Sequence, residues 1–265
     1  MPLRQRQKIQ ELLRPSGVSL EVKPAALRRL CFFVAAVFAA VALPARAQEL
    51  PDLRPALIGQ GPDAIINRID TKTLMAAGQK DALIMFWMDV KSDGALRWSG
   101  TFRGTPDSKL LEQEVQRALT NAKMVPAVRN HQPVEVICYG TVEFRAIEGK
   151  PRLRVFANQQ TEELKTENDF IDPQPCIGGD SHFTGFHYPD TGSPVPVSGT
   201  VVVQLSIDAT GNVQSAKVES ESPPLLGFGD AAMDDISGAK FIPAFRNGKP
   251  VACQVTLPFF YQPKS

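Results

Sequence analysis

The stretch AKFIPAFRNGKPV, residues 239–251, has a near copy in AKMVPAVRNHQPV, residues 122–134. The two lie 117 residues apart and share eight identities: Ala122/Ala239, Lys123/Lys240, Pro126/Pro243, Ala127/Ala244, Arg129/Arg246, Asn130/Asn247, Pro133/Pro250 and Val134/Val251. An internal repeat is sought first because missing one misassigns the whole fold. This one implies two copies of a small module.

Working outward, each copy is preceded by the same pattern. Leu83–Val90 has Ile84, Phe86, Met88 and Val90 at period two, and Met85 and Trp87 make its other face apolar as well. That marks an interior strand. Ser92-Asp93-Gly94 is a hairpin signal, and Leu96–Phe102 returns. Thr105 is placed to cap a helix with Pro106 in its first turn, and Leu111, Val115, Leu119 and Ala122 follow at helical spacing. Val134–Phe144 closes the unit, and Arg152–Ala157 adds a further strand after Glu148-Gly149-Lys150. In the second copy, Thr200–Ile207 and Val213–Ser220 flank Thr210-Gly211-Asn212. A helix over Asp230–Ser237 and a strand over Val251–Leu257 follow. Residues 82–144 align without a gap on 199–261, and turn, helix and strand phase agree in both. The expected fold is α+β: two tandem β-β-α-β modules, each a small antiparallel sheet with one helix on a face.

The expected organisation is a leader (1–47), a linker (48–62), module 1 (63–158), a charged and Pro-rich linker (159–181) and module 2 (182–265). One or two short helical turns are expected between Asp63 and Gln79. Arg28 and Arg29 precede the apolar run 31–43, and Ala45-Arg46-Ala47 stands before Gln48. This is the pattern of a secretory signal peptide with an extended n-region, cleaved between Ala47 and Gln48. The alternative is a retained membrane anchor over 30–43, although the run falls short of the roughly 20 residues that span a bilayer. The chain's 29 Lys/Arg and 28 Asp/Glu include eight and two within residues 1–47, which leaves 21 and 26 and a net charge near −5. A mildly acidic body with no basic cluster argues against nucleic-acid binding.

Residues 227–251, GFGDAAMDDISGAKFIPAFRNGKPV, resemble the C-terminal domain of the TonB energy-transducer family. The matching features are Gly227-Phe228, Ala231-Ala232, Phe241 before Pro243, Gly248-Lys249-Pro250-Val251 and Leu257-Pro258-Phe259-Phe260. Upstream, His187-Tyr188-Pro189 resembles the family's Tyr-Pro lead-in, and Ile207-Asp208 with Gly211 and Val213 its first hairpin. The match spans about 187–261, and residues 82–144 match more weakly. The chain departs from the family in having Ala239 where a Trp is usual, and in lacking a long Pro-rich segment.

The resemblance implies a non-enzymatic envelope protein, periplasmic or secreted. Its last strand would receive a segment of a protein partner, such as an outer-membrane transporter, by strand addition. Carried over by position, the binding residues are Ala252, Cys253, Gln254, Val255 and Thr256, with Glu135–Tyr139 equivalent in module 1. Physically, an exposed edge offers unpaired N–H and C=O groups. The competing expectation is an edge covered by the neighbouring module or by 152–157. Two other readings stand beside this one: a membrane-anchored energy transducer, and a structural protein whose edges pair with each other.

No cofactor or metal is expected, and no catalytic residues are assigned. No G-x-S-x-G elbow and no phosphate-cradling Gly loop is present. Cys176, Asp180, His182 and His187 are metal-capable, but their spacing matches no familiar zinc site. Outside the leader, Cys138, Cys176 and Cys253 are an odd set. Cys138 and Cys253 read as small buried hydrophobes, and Cys176 as the exposed thiol. His131 is expected in a turn, Glu162, Glu163 and Glu167 on a solvated face, and Arg129 and Arg246 paired with carboxylates of their own modules.

Overall fold

The computed structural model describes residues 49–166 and 168–263, so the leader, the Ala47/Gln48 cleavage point and Glu167 lie outside the described residues. In chain order the elements of the first half are β1 (Leu53–Arg54), α1 (Ile65–Arg68), α2 (Thr71–Ala76), β2 (Ala82–Val90), β3 (Leu96–Gly104), α3 (Lys109–Leu119), β4 (Ala127–Arg129), β5 (Gln132–Ile147) and β6 (Lys150–Phe156). Then come α4 (Thr161–Thr166), β7 (Gln174–Ile177), β8 (Gly199–Ile207), β9 (Val213–Ser222), α5 (Phe228–Ile236), β10 (Phe241–Ile242), β11 (Ala244–Arg246), β12 (Lys249–Val251) and β13 (Cys253–Tyr261). The fold is α+β, with antiparallel sheets and few helices. No helix among the described residues is long and apolar enough to cross a membrane.

Two ladders carry the structure. One runs β3–β2–β5 and the other β9–β8–β13. Their registers coincide at the 117-residue offset. Val90 faces Val136 as Ile207 faces Cys253, and Val90 faces Leu96 as Ile207 faces Val213. Even the bulges correspond, at Met85/Phe86 and Asp89/Val90 in β2 and at Val202/Val203 and Ser206/Ile207 in β8. A bulge inserts one unpaired residue and sharpens the twist, so its position is a specific feature of a sheet. Gly94 and Gly211 close the two hairpins at φ +82° and +85°. Each accepts at 2.9 Å from a backbone N–H in the stretch that follows the helix, that of Met124 or Phe241. A Cβ on either glycine would stand 2.1 Å or 1.9 Å from the carbonyl oxygen of that same residue. Only glycine offers both the left-handed backbone and that approach.

Strand alternation builds the cores. Val201, Val203, Leu205 and Ile207 are buried, with partly exposed residues between them, and they pack with Phe228, Ala232 and Ile236 of α5. In the first ladder Ile84, Phe86, Met88 and Val90 pack with Leu111, Val115 and Leu119 of α3. Burying one such side chain is worth about 1.5–3 kcal/mol. The second face of β2 is not solvated either, because Trp87 packs with the core that also holds Ile137 and Tyr139.

Three expectations need correction. Thr105 does not cap α3. Its hydroxyl accepts from Leu83 N–H at 3.2 Å, and the first turn is served by Gln79, whose Oε1 accepts from Leu111 N–H at 2.8 Å. Cys176 is not exposed; it sits on β7 opposite Val136, 2% accessible. The 159–181 stretch is not a bare linker. It holds α4 and β7, and Phe170, Asp172, Gln174 and Cys176 are buried in it. β7 pairs with β5 through Glu135 and Val136 and with β10 through Phe241 and Ile242, so it ties the first ladder to the stretch that follows α5. The described residues from Glu49 onward accordingly form one compact unit.

Candidate functional site

β13 pairs with β8 along one side, from Cys253↔Ile207 to Tyr261↔Gly199. No strand pairs with its other side among the described residues. Antiparallel strands alternate the direction of their backbone groups. Thr256 O accepts from Gln159 Nε2 at 3.3 Å and Pro258 O from the Tyr139 hydroxyl at 2.8 Å, so the even positions face outward. Pro258 has no N–H to leave unpaired, which suits an edge position. Gln254 shares that parity, and its side chain is exposed.

The edge is open over only part of its length. Near its end, Phe260 stacks on Trp87 at 5.6 Å between ring centroids and lies 5.2 Å from Phe102. Thr256 and Pro258 are capped by the side chains just named. The open part is Ala252–Val255. Beside it lies a cleft of about 470 Å³, lined on one side by Val251–Gln254 and on the other by Gln160–Glu163 and Phe170. A smaller cleft of about 160 Å³ continues along Thr256 and Pro258.

The five expected binding residues therefore divide. Gln254 offers an outward backbone and an exposed side chain, and Ala252 is an exposed joint between β12 and β13. Cys253 is partly buried, and burial pushes its thiol up to about 12. Val255 points into the core at 2% accessibility. Thr256 is already bonded to Gln159. The equivalent edge in the first ladder is closed: β7 pairs with Glu135 and Val136, and β6 with Thr141–Ile147.

Charge at the cleft comes from Glu162, which pairs with Lys165, and from the ion pair of Arg246 with Glu163. Arg246 donates from both terminal nitrogens to Glu163, at 3.1 and 2.5 Å, and its guanidinium lies 4.8 Å over the Phe170 ring. These bonds hold the Glu163 carboxyl below its usual range. Arg129 donates to Asp180 and to the Phe241 carbonyl at 3.2 Å. Neither arginine pairs within its own ladder. Both project from hairpins toward 159–181, which folds back between them, and so both find their carboxylates there.

The residues that carry the family pattern do structural work. The Tyr188 hydroxyl donates to Val197 O at 2.6 Å, and its ring meets Phe228 edge-on. Pro189 touches the space beside Gly227. Phe241 is fully buried and Pro243 is buried beside it. Gly248, at φ +69°, makes the β11–β12 turn, and Pro250 pairs with Phe245. His131 occupies a turn at φ +60°. Asp180 and His187 have other partners: His187 Nδ1 lies 2.6 Å from Asp235 Oδ1. No three His, Cys, Asp or Glu side chains are grouped to hold a metal among the described residues.

The residues that the sequence did not single out are Gln159 and Asp172; Tyr139 appeared there only as the end of the module 1 edge Glu135–Tyr139, and Glu163 only as a solvated charge. Asp172 is buried, and its carboxylate accepts from Gln159 N–H at 2.9 Å and from Gln160 Nε2 at 3.2 Å. Burial pushes it up to about 7.

Residues 185–263 match the family model described as Gram-negative bacterial TonB protein C-terminal. No curated protein matches the chain. The family match agrees with the resemblance over 187–261 and covers β8–β13. It supports an envelope protein of TonB-like type with a protein partner.

Proposed function

We propose that this is a non-enzymatic periplasmic protein, exported by a cleaved signal peptide. In this reading it is built from two copies of one TonB-C-like module, and it binds an extended segment of a protein partner along β13. The observation that carries the binding reading is the open edge at Ala252–Val255 with a cleft beside it. An added strand would take main-chain bonds from the outward groups of Gln254 and read its side chains against the cleft. The coincident registers and bulges of the two ladders support the two-copy reading. The first copy, with its own edge closed by β6 and β7, serves as the support that fixes the end of β13.

The partner class is an outer-membrane transporter, as the family match suggests. The test is co-purification of outer-membrane transporters with the whole protein from envelope extracts, compared with Gln254→Pro. Loss of the transporter in a folded variant supports strand addition at β13. Unchanged capture rules it out.

A second reading retains residues 30–43 as an anchor and makes the protein an energy transducer, the context that the family match over 185–263 suggests. Mass spectrometry of the mature N-terminus separates the two. A terminus at Gln48 removes the transducer, because a cleaved protein has no tether through which to transmit force.

A further inference from the structure

The wall of the cleft opposite β13 belongs to a segment built differently from the rest of the fold. Its two ends are pinned together at a buried neck. Asp172 N–H donates to Ala157 O at 3.0 Å, Asn158 Nδ2 donates to Phe170 O at 2.8 Å, and Gln159 N–H donates to the Asp172 carboxylate. Asn158, Phe170 and Asp172 are each at most 4% accessible. Between them the chain leaves the core: α4 buries none of its residues. A surface loop with adjoining ends and its own internal bonds is an Ω-loop, a form that often serves function.

Beyond the neck, two side-chain contacts tie this loop across the cleft to the last strand and the hairpin before it. Gln159 reaches Thr256 O, and Glu163 holds Arg246. Glu163 is itself steadied by Asn168 Nδ2. An added strand must lie about 4.8 Å from β13 in the hydrogen-bonding direction. That is the space the loop borders, and Gln159 occupies one of the acceptors the strand would use.

We propose that α4, Thr161–Thr166, is a lid over the β13 edge, hinged at the Asn158/Asp172 neck and latched by Glu163 on Arg246. The proposal rests on the reading of β13 as the binding edge and adds its regulation. In the closed state Gln159 satisfies the Thr256 carbonyl, which a partner strand would take over. Opening needs the loss of one partly exposed ion pair and one side-chain bond, with the neck left intact. Segments with few buried contacts open at low free-energy cost.

Cys253 reports on the lid without any partner. It lines the cleft, whereas Cys138 and Cys176 are buried at 2% accessibility. The experiment measures maleimide labelling of Cys253 at pH 8 in the whole chain carrying Cys31→Ser. Two variants are compared with it: Glu163→Gln, and replacement of residues 161–166 by a Gly-Ser segment. The expected result is labelling about fivefold faster or more in Glu163→Gln, and faster again in the replacement. Cys138 and Cys176 should stay unlabelled in both. An unchanged rate in the replacement overturns the lid, and acceleration in the replacement alone overturns the latch. Labelling of Cys138 or Cys176 in either variant would mean that the loop holds the fold together, which also overturns the lid. Faster labelling with no gain in transporter capture leaves the lid standing and counts against strand addition, so the two failures are distinct.

Discussion

The Tyr139 hydroxyl donates to the Pro258 carbonyl across 2.8 Å, joining β5 of one ladder to the edge strand of the other. Both groups are buried, and burial drives the Tyr139 phenol well above its ordinary range. The bond satisfies an outward carbonyl in a strand with no neighbour on that side. Tyr139→Phe keeps the ring and leaves the carbonyl without a donor. The expected cost is about 1–3 kcal/mol, the penalty of an unsatisfied buried acceptor. Urea unfolding of the two proteins measures it, and equal midpoints would mean that the carbonyl finds another donor.

The parity of β13 predicts a contrast between adjacent positions. Gln254 faces outward, so Gln254→Pro removes a donor that no strand uses. It should cost no more than about 1 kcal/mol, as proline does on an edge. Val255 has the opposite parity and is paired with Leu205 of β8. Val255→Pro removes a ladder bond inside the sheet and should cost about 3 kcal/mol or more. Thermal unfolding by circular dichroism separates the two. Similar losses at both positions would show that the edge is paired on both sides.

Much of this arrangement is legible in the chain. Period-two alternation finds β2, β8 and most of β5 and β13, because one face of each strand is buried, and the hairpin signals place β3 and β9 as their return strands. Gly94 and Gly211 mark hairpins because no other residue fits there. The repeat fixes which strands correspond. What escapes is held by long-range polar bonds, which leave no period. Gln174 donates to Ala56 O and accepts from Ala56 N–H, 118 positions away, and so locks β7 beside the start of the chain. Asp172 organises the neck through Gln159 and Gln160 in a stretch whose charges and prolines read as solvated. Gln79 serves α3 from across a loop, where Thr105 was the local candidate. The edge strand itself was legible. Its partial closure by Tyr139, Gln159 and Phe260 depends on how the two ladders pack, and neither ladder alone encodes it.

Two glycines separate backbone conformation from close approach. Gly211 and Gly248 both have positive φ, +85° and +69°. A Cβ at Gly211 would meet the Phe241 carbonyl oxygen at 1.9 Å, whereas Gly248 has nothing within 4 Å. Gly248→Ala should therefore cost about 1–2 kcal/mol, the left-handed penalty alone. Gly211→Ala adds a clash with backbone that cannot yield without breaking the Phe241 N–H to Gly211 O bond, so it should cost about 3 kcal/mol or more. Denaturant midpoints of the two variants give the difference directly. If the two were equally destabilised, the hairpin would have to be able to move away from Phe241.

Asp172 makes stability depend on pH in a direction opposite to that of a salt-bridged carboxylate. Its pKa is about 7 in the folded protein against 3.8 for a free side chain. Below about pH 4 both states are protonated and the group contributes no difference. Between about 4 and 7 the folded state keeps a proton that the unfolded state has released, so raising the pH weakens folding. Above about 7 both states are ionised and the whole penalty of the buried charge is present, up to about 4 kcal/mol. The protein should therefore be more stable at pH 5.5 than at pH 8. Asp172→Asn keeps an oxygen for the Gln159 N–H and removes the charge. It should flatten the slope between pH 5 and 8 and raise stability at pH 8. Urea unfolding at four pH values tests both statements. The same slope in the variant would assign the dependence to other groups, with Asp89 the first to examine, since burial raises it too.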